Sequence, residues 1–173
     1  MLKWFRKHRI WIAEIFLFVA ALLAISSWQA RNLLDTDRQE APELQAVTLD
    51  GAPFDLLKSE QKATLIYFFA PWCHICAASS DNIRRLRRLR DEESLSIVMV
   101  ALDWEKLDDV HAYAERHELN VPVVIGDTEI AKDWHVFGYP TYYVLDDQHR
   151  VVSRDFGYST QLGLWWRSWL PGS

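Results

Sequence analysis

TLIYFFAPWCHIC, residues 64–76, decides how the rest of the chain reads. Its first seven residues are an unbroken β-branched and aromatic run, the pattern of a strand covered on both faces in a partly parallel sheet. Pro71 and Trp72 end the run, and Cys73 and Cys76 stand directly behind them. From Cys76 the pattern turns helical: Ile83, Leu86 and Leu89 recur every three residues, with Arg84, Arg85, Arg87, Arg88 and Arg90 mostly between them.

A strand that feeds a helix through this spacing puts both sulfurs on one face of the first helical turn, near enough to bond. Cys73 then meets the positive end of the helix dipole, which favours its thiolate and makes it the nucleophile. Cys76, one turn deeper, is suited to attack the mixed disulfide formed at Cys73 and release the product. So small a ring constrains the unfolded chain little, which makes a purely structural bridge unattractive. His74, next to the nucleophile, is the candidate for tuning it, as a protonated or hydrogen-bonding imidazole.

Competing uses of the pair need other residues. Haem attachment requires a histidine after the second cysteine, and Ala77 stands there. A four-ligand zinc site needs two more ligands. With only two cysteines in the chain, these must come from His74, His111, His117, His135, His149 or carboxylates at no recognisable spacing. Copper(I), which suits thiolates, is the alternative from another class: a copper-binding or copper-transfer module. The redox reading needs no metal and no external cofactor, because the reactive group is the Cys73–Cys76 disulfide itself.

Outward from this centre, residues 97–102, 121–125, 141–145 and 150–156 read as strands and residues 107–118, 129–134 and 160–170 as helices. Residues 47–54 resemble a hairpin in which Asp50-Gly51 supply positive φ angles. Gly138-Tyr139-Pro140 is a turn. Strands alternating with helices and ending in a hairpin predict an α/β mixed sheet covered on both faces. The five arginines of residues 84–90 are expected on a solvated helix face, and Trp165, Trp166 and Trp169 over the core.

The N-terminal end has a different character. Residues 10–28 form an apolar run broken only by Glu14; as a helix it covers ~28 Å, close to the bilayer's hydrocarbon core. Lys3, Arg6, Lys7 and Arg9 precede it, so the positive-inside rule keeps residues 1–9 in the cytoplasm and sends the rest across. The run is long for a signal peptide and ends in Trp28-Gln29 rather than small residues, which favours an uncleaved anchor. Residues 29–42, mostly polar, read as a tether, and residues 43–173 as the domain. The chain's formal charge is −5, and Lys3, Arg6, Lys7 and Arg9 against Glu14 give residues 1–30 a net +3, so the remainder holds −8. So acidic a body argues against nucleic-acid binding.

The strand TLIYFFA, the Trp72-Cys73-His74-Ile75-Cys76 motif and Gly138-Tyr139-Pro140-Thr141 sixty-odd residues later together resemble thioredoxin-fold proteins. Over residues 43–173 the resemblance is to the membrane-anchored periplasmic branch containing the TlpA, ResA and DsbE/CcmG proteins. Within that branch it looks like the ScsD-type suppressor-of-copper-sensitivity proteins. It implies a thioredoxin-like fold and an inner-membrane thiol:disulfide oxidoreductase facing the periplasm, with cysteine-bearing periplasmic proteins as substrates. A membrane electron-transfer partner would recharge the pair, substrate reduction is the expected direction, and copper tolerance is the implied setting. An oxidase or isomerase is the rival direction.

The resemblance also makes Pro140 a cis-proline beside the disulfide, offers Tyr139 backbone groups to an extended substrate, and puts Trp72 on the rim that substrates touch. Residues 107–124 resemble the helix and strand this branch inserts. Two departures stand out. Tyr67 occupies the position of thioredoxin's buried aspartate, so Cys76 must pass its proton to water or another group. The dipeptide His74-Ile75 differs from the thioredoxin and cytochrome-maturation patterns.

Overall fold

The computed structural model describes residues 11, 14–21, 24, 31–58 and 61–169. The chain divides into two compact units, residues 1–32 and 33–173. In the first, residues 14–21 are helical; nine of the 19 residues of the proposed 10–28 anchor lie outside the described residues. Among the described residues, no helix is long and apolar enough to cross a membrane.

The second unit is built on the strand that the sequence singles out. Strand β3 (Ala63–Phe69) is fully buried, as its unbroken apolar run requires. It pairs in parallel with β4 (Ser96–Ala101) and antiparallel with β6 (Thr141–Asp146). Strand β5 (Val123–Ile125) runs parallel to β4 and antiparallel to β1 (Gln45–Thr48). Strands β2 (Pro53–Asp55) and β7 (Val151–Phe156) close the two edges, giving the order β2-β1-β5-β4-β3-β6-β7.

Alternation along β3 splits the core in two. Leu65, Tyr67 and Phe69 face one layer with Ile83 and Leu86 of α1 (His74–Leu89), Val110 and Tyr113 of α2 (Leu107–Arg116) and Leu164 of α4 (Gln161–Arg167). Ile66 and Phe68 face the other layer, with Trp134 at the end of α3 (Thr128–Asp133) and Leu33, Leu34, Leu44 and Leu56. Trp134 is fully buried between Phe68 and Tyr143, with ring centroids 5.4 and 5.6 Å away. Trp134→Ala is expected to cost about 3–5 kcal/mol, read as a lower urea midpoint with unchanged slope. A loss below about 1 kcal/mol would contradict this packing.

Several expectations are corrected. Residues 33–42 are not a free tether: Leu33 and Leu34 are buried, and the Leu34 N–H donates to Tyr143 Oη. Arg154 Nη1 donates to the Leu33 and Leu34 carbonyls at 2.9 and 2.6 Å, and Glu40 bridges Arg150 in antiparallel fashion. Two leucines in a polar stretch are too short a signal to show as a period, yet they suffice to cover one sheet face.

In the β1–β2 hairpin only Gly51 has positive φ (+86°), and its N–H donates to the Thr48 carbonyl. The helical arginines also divide. Arg84 pairs with Asp81 and Glu118, Arg87 holds the Leu95 and Arg90 carbonyls, and buried Arg90 binds Ser168 and covers the Trp169 ring at 4.1 Å. They act as clamps because a guanidinium reaches backbone carbonyls that its stem passes over. Of the terminal tryptophans, Trp165 packs on the core, whereas Trp166 and Trp169 are 65% and 52% exposed. The short α4 buries only the side that carries Leu164.

Candidate active site

The end of β3 hands the chain to α1 through a tight turn in which the Cys73 N–H donates to the Ala70 carbonyl at 3.0 Å. Cys73 is the N-cap of α1, one residue before the first helical residue, and its Sγ accepts the Cys76 N–H at 3.1 Å. The helix therefore starts at His74 rather than Cys76. Cys73 and Cys76 are joined as a disulfide with Cα atoms 5.2 Å apart. Cys73 is 7% exposed and Cys76 fully buried, so a partner reaches only the first sulfur. On reduction, the same N-terminal amides and the dipole favour negative charge at Cys73.

The β3–β6 register sets Phe68 opposite Thr141, which brings residues 139–140 to the sheet end that carries the cysteines. The Tyr139–Pro140 peptide is cis. Its neighbourhood is tied down: Thr141 Oγ1 donates to the Gly138 carbonyl at 2.9 Å, and the Gly157 N–H to the Pro140 carbonyl at 2.8 Å. Trp72, 59% exposed, stands edge-on to Tyr139 with centroids 5.8 Å apart. His74 is exposed on the first helical turn. Cys73, Cys76, His74, Trp72, Tyr139 and Pro140 thus share one end of the sheet.

Beneath the pair lies a layer of hydroxyls that sequence reading caught only at Tyr67. Tyr67 Oη donates to the Cys76 carbonyl at 3.1 Å, and Ser80 Oγ donates to the same carbonyl at 3.0 Å while contacting Tyr113 Oη at 2.8 Å. Tyr142 packs on the Tyr67 ring at 4.8 Å. Burial, then the neighbouring Tyr142 and Tyr113, pushes the Tyr67 hydroxyl well above its ordinary value near 10. Burial holds Tyr113 and Tyr142 up at about 12. These groups stay protonated at neutral pH, so Tyr67 directly and Tyr113 through Ser80 fix the Cys76 carbonyl, and none of the three takes the Cys76 proton. The available signal for Ser80 is its helical spacing from buried Cys76 and Ile83; nothing local marks Tyr113 as its partner.

Residues 38–154 match the AhpC/TSA family. The chain is 28% identical to the thioredoxin-like protein YneN of Bacillus subtilis over 87% of this chain and 92% of that protein. It is 23% identical to the sporulation thiol-disulfide oxidoreductase A of Bacillus subtilis, over 83% and 91%. Among solved structures it resembles a thiol:disulfide interchange protein of the thioredoxin family from Chlorobium tepidum, with TM-score 0.69 and 23% identity over 78% of this chain and 97% of that one. It also resembles StoA from Bacillus subtilis, with TM-score 0.65 and 19% identity over 73% and 96%. These likenesses give the fold as thioredoxin-like, and the match across residues 38–154 means that the chain belongs to the AhpC/TSA family.

Proposed function

We propose that the chain is a thiol:disulfide oxidoreductase that works through Cys73 and Cys76 and reduces disulfides of protein substrates while anchored to the inner membrane with its domain in the periplasm. The single observation that carries the activity is the disulfide at the N-cap of α1, with Cys73 reachable and Cys76 buried. Relatives named thiol-disulfide oxidoreductase and thiol:disulfide interchange protein support it.

The steps balance without a cofactor. In the reduced pair the Cys73 thiolate attacks one sulfur of a substrate disulfide, forming a mixed disulfide and expelling the other sulfur as a thiolate that takes up a proton. The Cys76 thiol gives its proton to solvent and attacks Cys73 Sγ. This closes the Cys73–Cys76 bond and frees the second substrate thiol. Two electrons pass from the pair to the substrate, and a dithiol carrier must return them. Trp72, Tyr139 and Pro140 form the rim against which an extended substrate segment lies.

The anchor and orientation rest on residues 10–28 and the basic residues before them. A membrane carrier that recharges the pair, and a role in copper tolerance, follow from the resemblance to the periplasmic branch. The direction of transfer is tested by equilibrating the protein with glutathione buffers. A potential near the ~ −270 mV of thioredoxin supports the reductant, and one near the ~ −120 mV of DsbA reassigns the pair to oxidation. Copper(I) bound stoichiometrically to a pair that exchanges no disulfide would replace the enzyme reading by the metal-transfer one. His74→Ala is expected to raise the Cys73 pKa, seen by thiolate absorbance, and to make the pair more reducing; an unchanged potential removes His74 from the tuning role.

A further inference from the structure

Next to the redox centre runs a groove of about 580 Å³ that the exchange chemistry does not use. Two tryptophans form its walls, and both are pinned through their indole N–H groups. Trp72 Nε1 donates to the Asp103 carbonyl at 2.9 Å and Trp104 Nε1 to the Gly126 carbonyl at 3.0 Å. The aromatic walls are therefore preorganised.

The remaining lining is charged and one-sided. Asp103, Glu105 and Asp109 line the groove against one cation, Arg116. Asp103, Glu105 and Asp109 are exposed and, among the described residues, make no ion pair. The groove is continuous with the site already described, because Trp72 is both its wall and the neighbour of Cys73, and Tyr139 stands edge-on to it. The charge of Asp103 reaches that rim: after burial, it is what holds the Tyr139 hydroxyl up at about 12.

We infer that this groove is a specificity subsite that takes a lysine or arginine side chain flanking the substrate's cysteine, so that basic segments are the preferred exchange partners. A cation with a long apolar stem fits such a place. The stem lies on the indoles, the cation meets their π faces and the three carboxylates, and the cysteine sulfur is left at Cys73. An acidic segment would place carboxylates against Asp103, Glu105 and Asp109 and is disfavoured by like charge.

The inference rests on the exchange reading, and the test separates the two. The reduced full-length chain is mixed with short peptides carrying one cysteine in mixed disulfide with 2-mercaptoethanol. The cysteine is flanked by lysines in one peptide and glutamates in the other, and uncharged hydroxyethyl disulfide is run in parallel. Each reaction yields two small thiols and the Cys73–Cys76 disulfide. The lysine peptide is expected to react at least about tenfold faster than the glutamate peptide at low salt, a gap that closes at high salt.

In a chain with Asp103→Asn, Glu105→Gln and Asp109→Asn the ratio should fall to near one, while Glu92→Gln with Glu93→Gln, in the loop after the far end of α1 and before β4, should leave it in place. Equal rates for the two peptides in the native chain, or a ratio that survives the groove substitutions, overturns the subsite while exchange stands. A drop in the ratio with Glu92→Gln and Glu93→Gln assigns the preference to the overall negative charge and overturns it as well. No reaction with hydroxyethyl disulfide removes the reductive-exchange reading and the subsite with it.

Discussion

Replacing Cys73 by serine is expected to bring disulfide exchange down to the rate seen without protein, whereas Cys76→Ser should keep the first half-reaction and hold the substrate as a mixed disulfide. The difference follows from depth and helix position. Cys73 caps α1, where unpaired amides and the dipole lower the cost of a thiolate, and it keeps 7% of its surface open. Cys76 is closed off by Tyr67 and Ser80 at its carbonyl and by the core around it, so a substrate cannot approach it. A serine at position 73 leaves Cys76, which is buried, as the one remaining thiol, because there are only two cysteines. A serine at position 76 leaves the nucleophile but nothing to resolve its adduct. Mass spectrometry of each variant after mixing with a protein disulfide checks this: a covalent adduct with Cys76→Ser and none with Cys73→Ser. Adducts on Cys76 in the Cys73→Ser chain would reverse the assignment.

The second large effect is an alkaline collapse. Tyr67, Tyr113, Tyr142 and Tyr143 are each 2% exposed or less. Burial raises all four, Tyr67 well above 10 and the other three to about 12, against an ordinary value of 10.0. The sign is that of an acid whose neutral form is held by the fold. Above pH 10 the unfolded chain gives up these protons and the folded chain keeps them, so the folded state binds more protons and stability falls as pH rises.

Each such tyrosine contributes about 1.4 kcal/mol per pH unit, and four together about 5 kcal/mol per unit between roughly pH 10 and 12. That is comparable to the whole stability of a domain, typically about 5–15 kcal/mol. The four hydroxyls are therefore expected to ionise together with the loss of far-ultraviolet circular dichroism, in one step. Ionisation of these tyrosines near pH 10 with native dichroism retained would mean that their hydroxyls, on the two faces of the sheet, are open to solvent.

The centre of the fold was legible because its signals are local. The run at residues 64–70 is short, β-branched and aromatic and is stopped by Pro71, which marks a strand covered on both faces, and a Cys-x-x-Cys between a strand and an amphipathic helix falls where that helix opens. What escaped depends on distant backbone. Arg154 captures the Leu33 and Leu34 carbonyls more than a hundred residues away, and no pattern within residues 29–42 announces a partner of that kind. Arg87 and Arg90 look in sequence like Arg85 and Arg88, and only the loop and terminal helix that fold against them make clamps of the first two. The groove beside Trp72 joins the turn after β3 to the loop before α2, so it exists only once β3 and β4 lie side by side. Tyr67 stood out in the sequence at the position of thioredoxin's buried aspartate, but its role as a donor to the Cys76 carbonyl required the register of β3 beneath α1.

The measurement that bears most directly on the account is a thiol count through one redox cycle of the purified full-length chain. Two thiols per chain should appear after treatment with dithiothreitol and its removal. Both should vanish on addition of one equivalent of hydroxyethyl disulfide, with two mercaptoethanol thiols released and Cys73 bonded to Cys76 in the peptide map. A pair that dithiothreitol cannot open, or that once reduced keeps its two thiols in the presence of the disulfide, would contradict the claim that Cys73 and Cys76 reduce substrate disulfides.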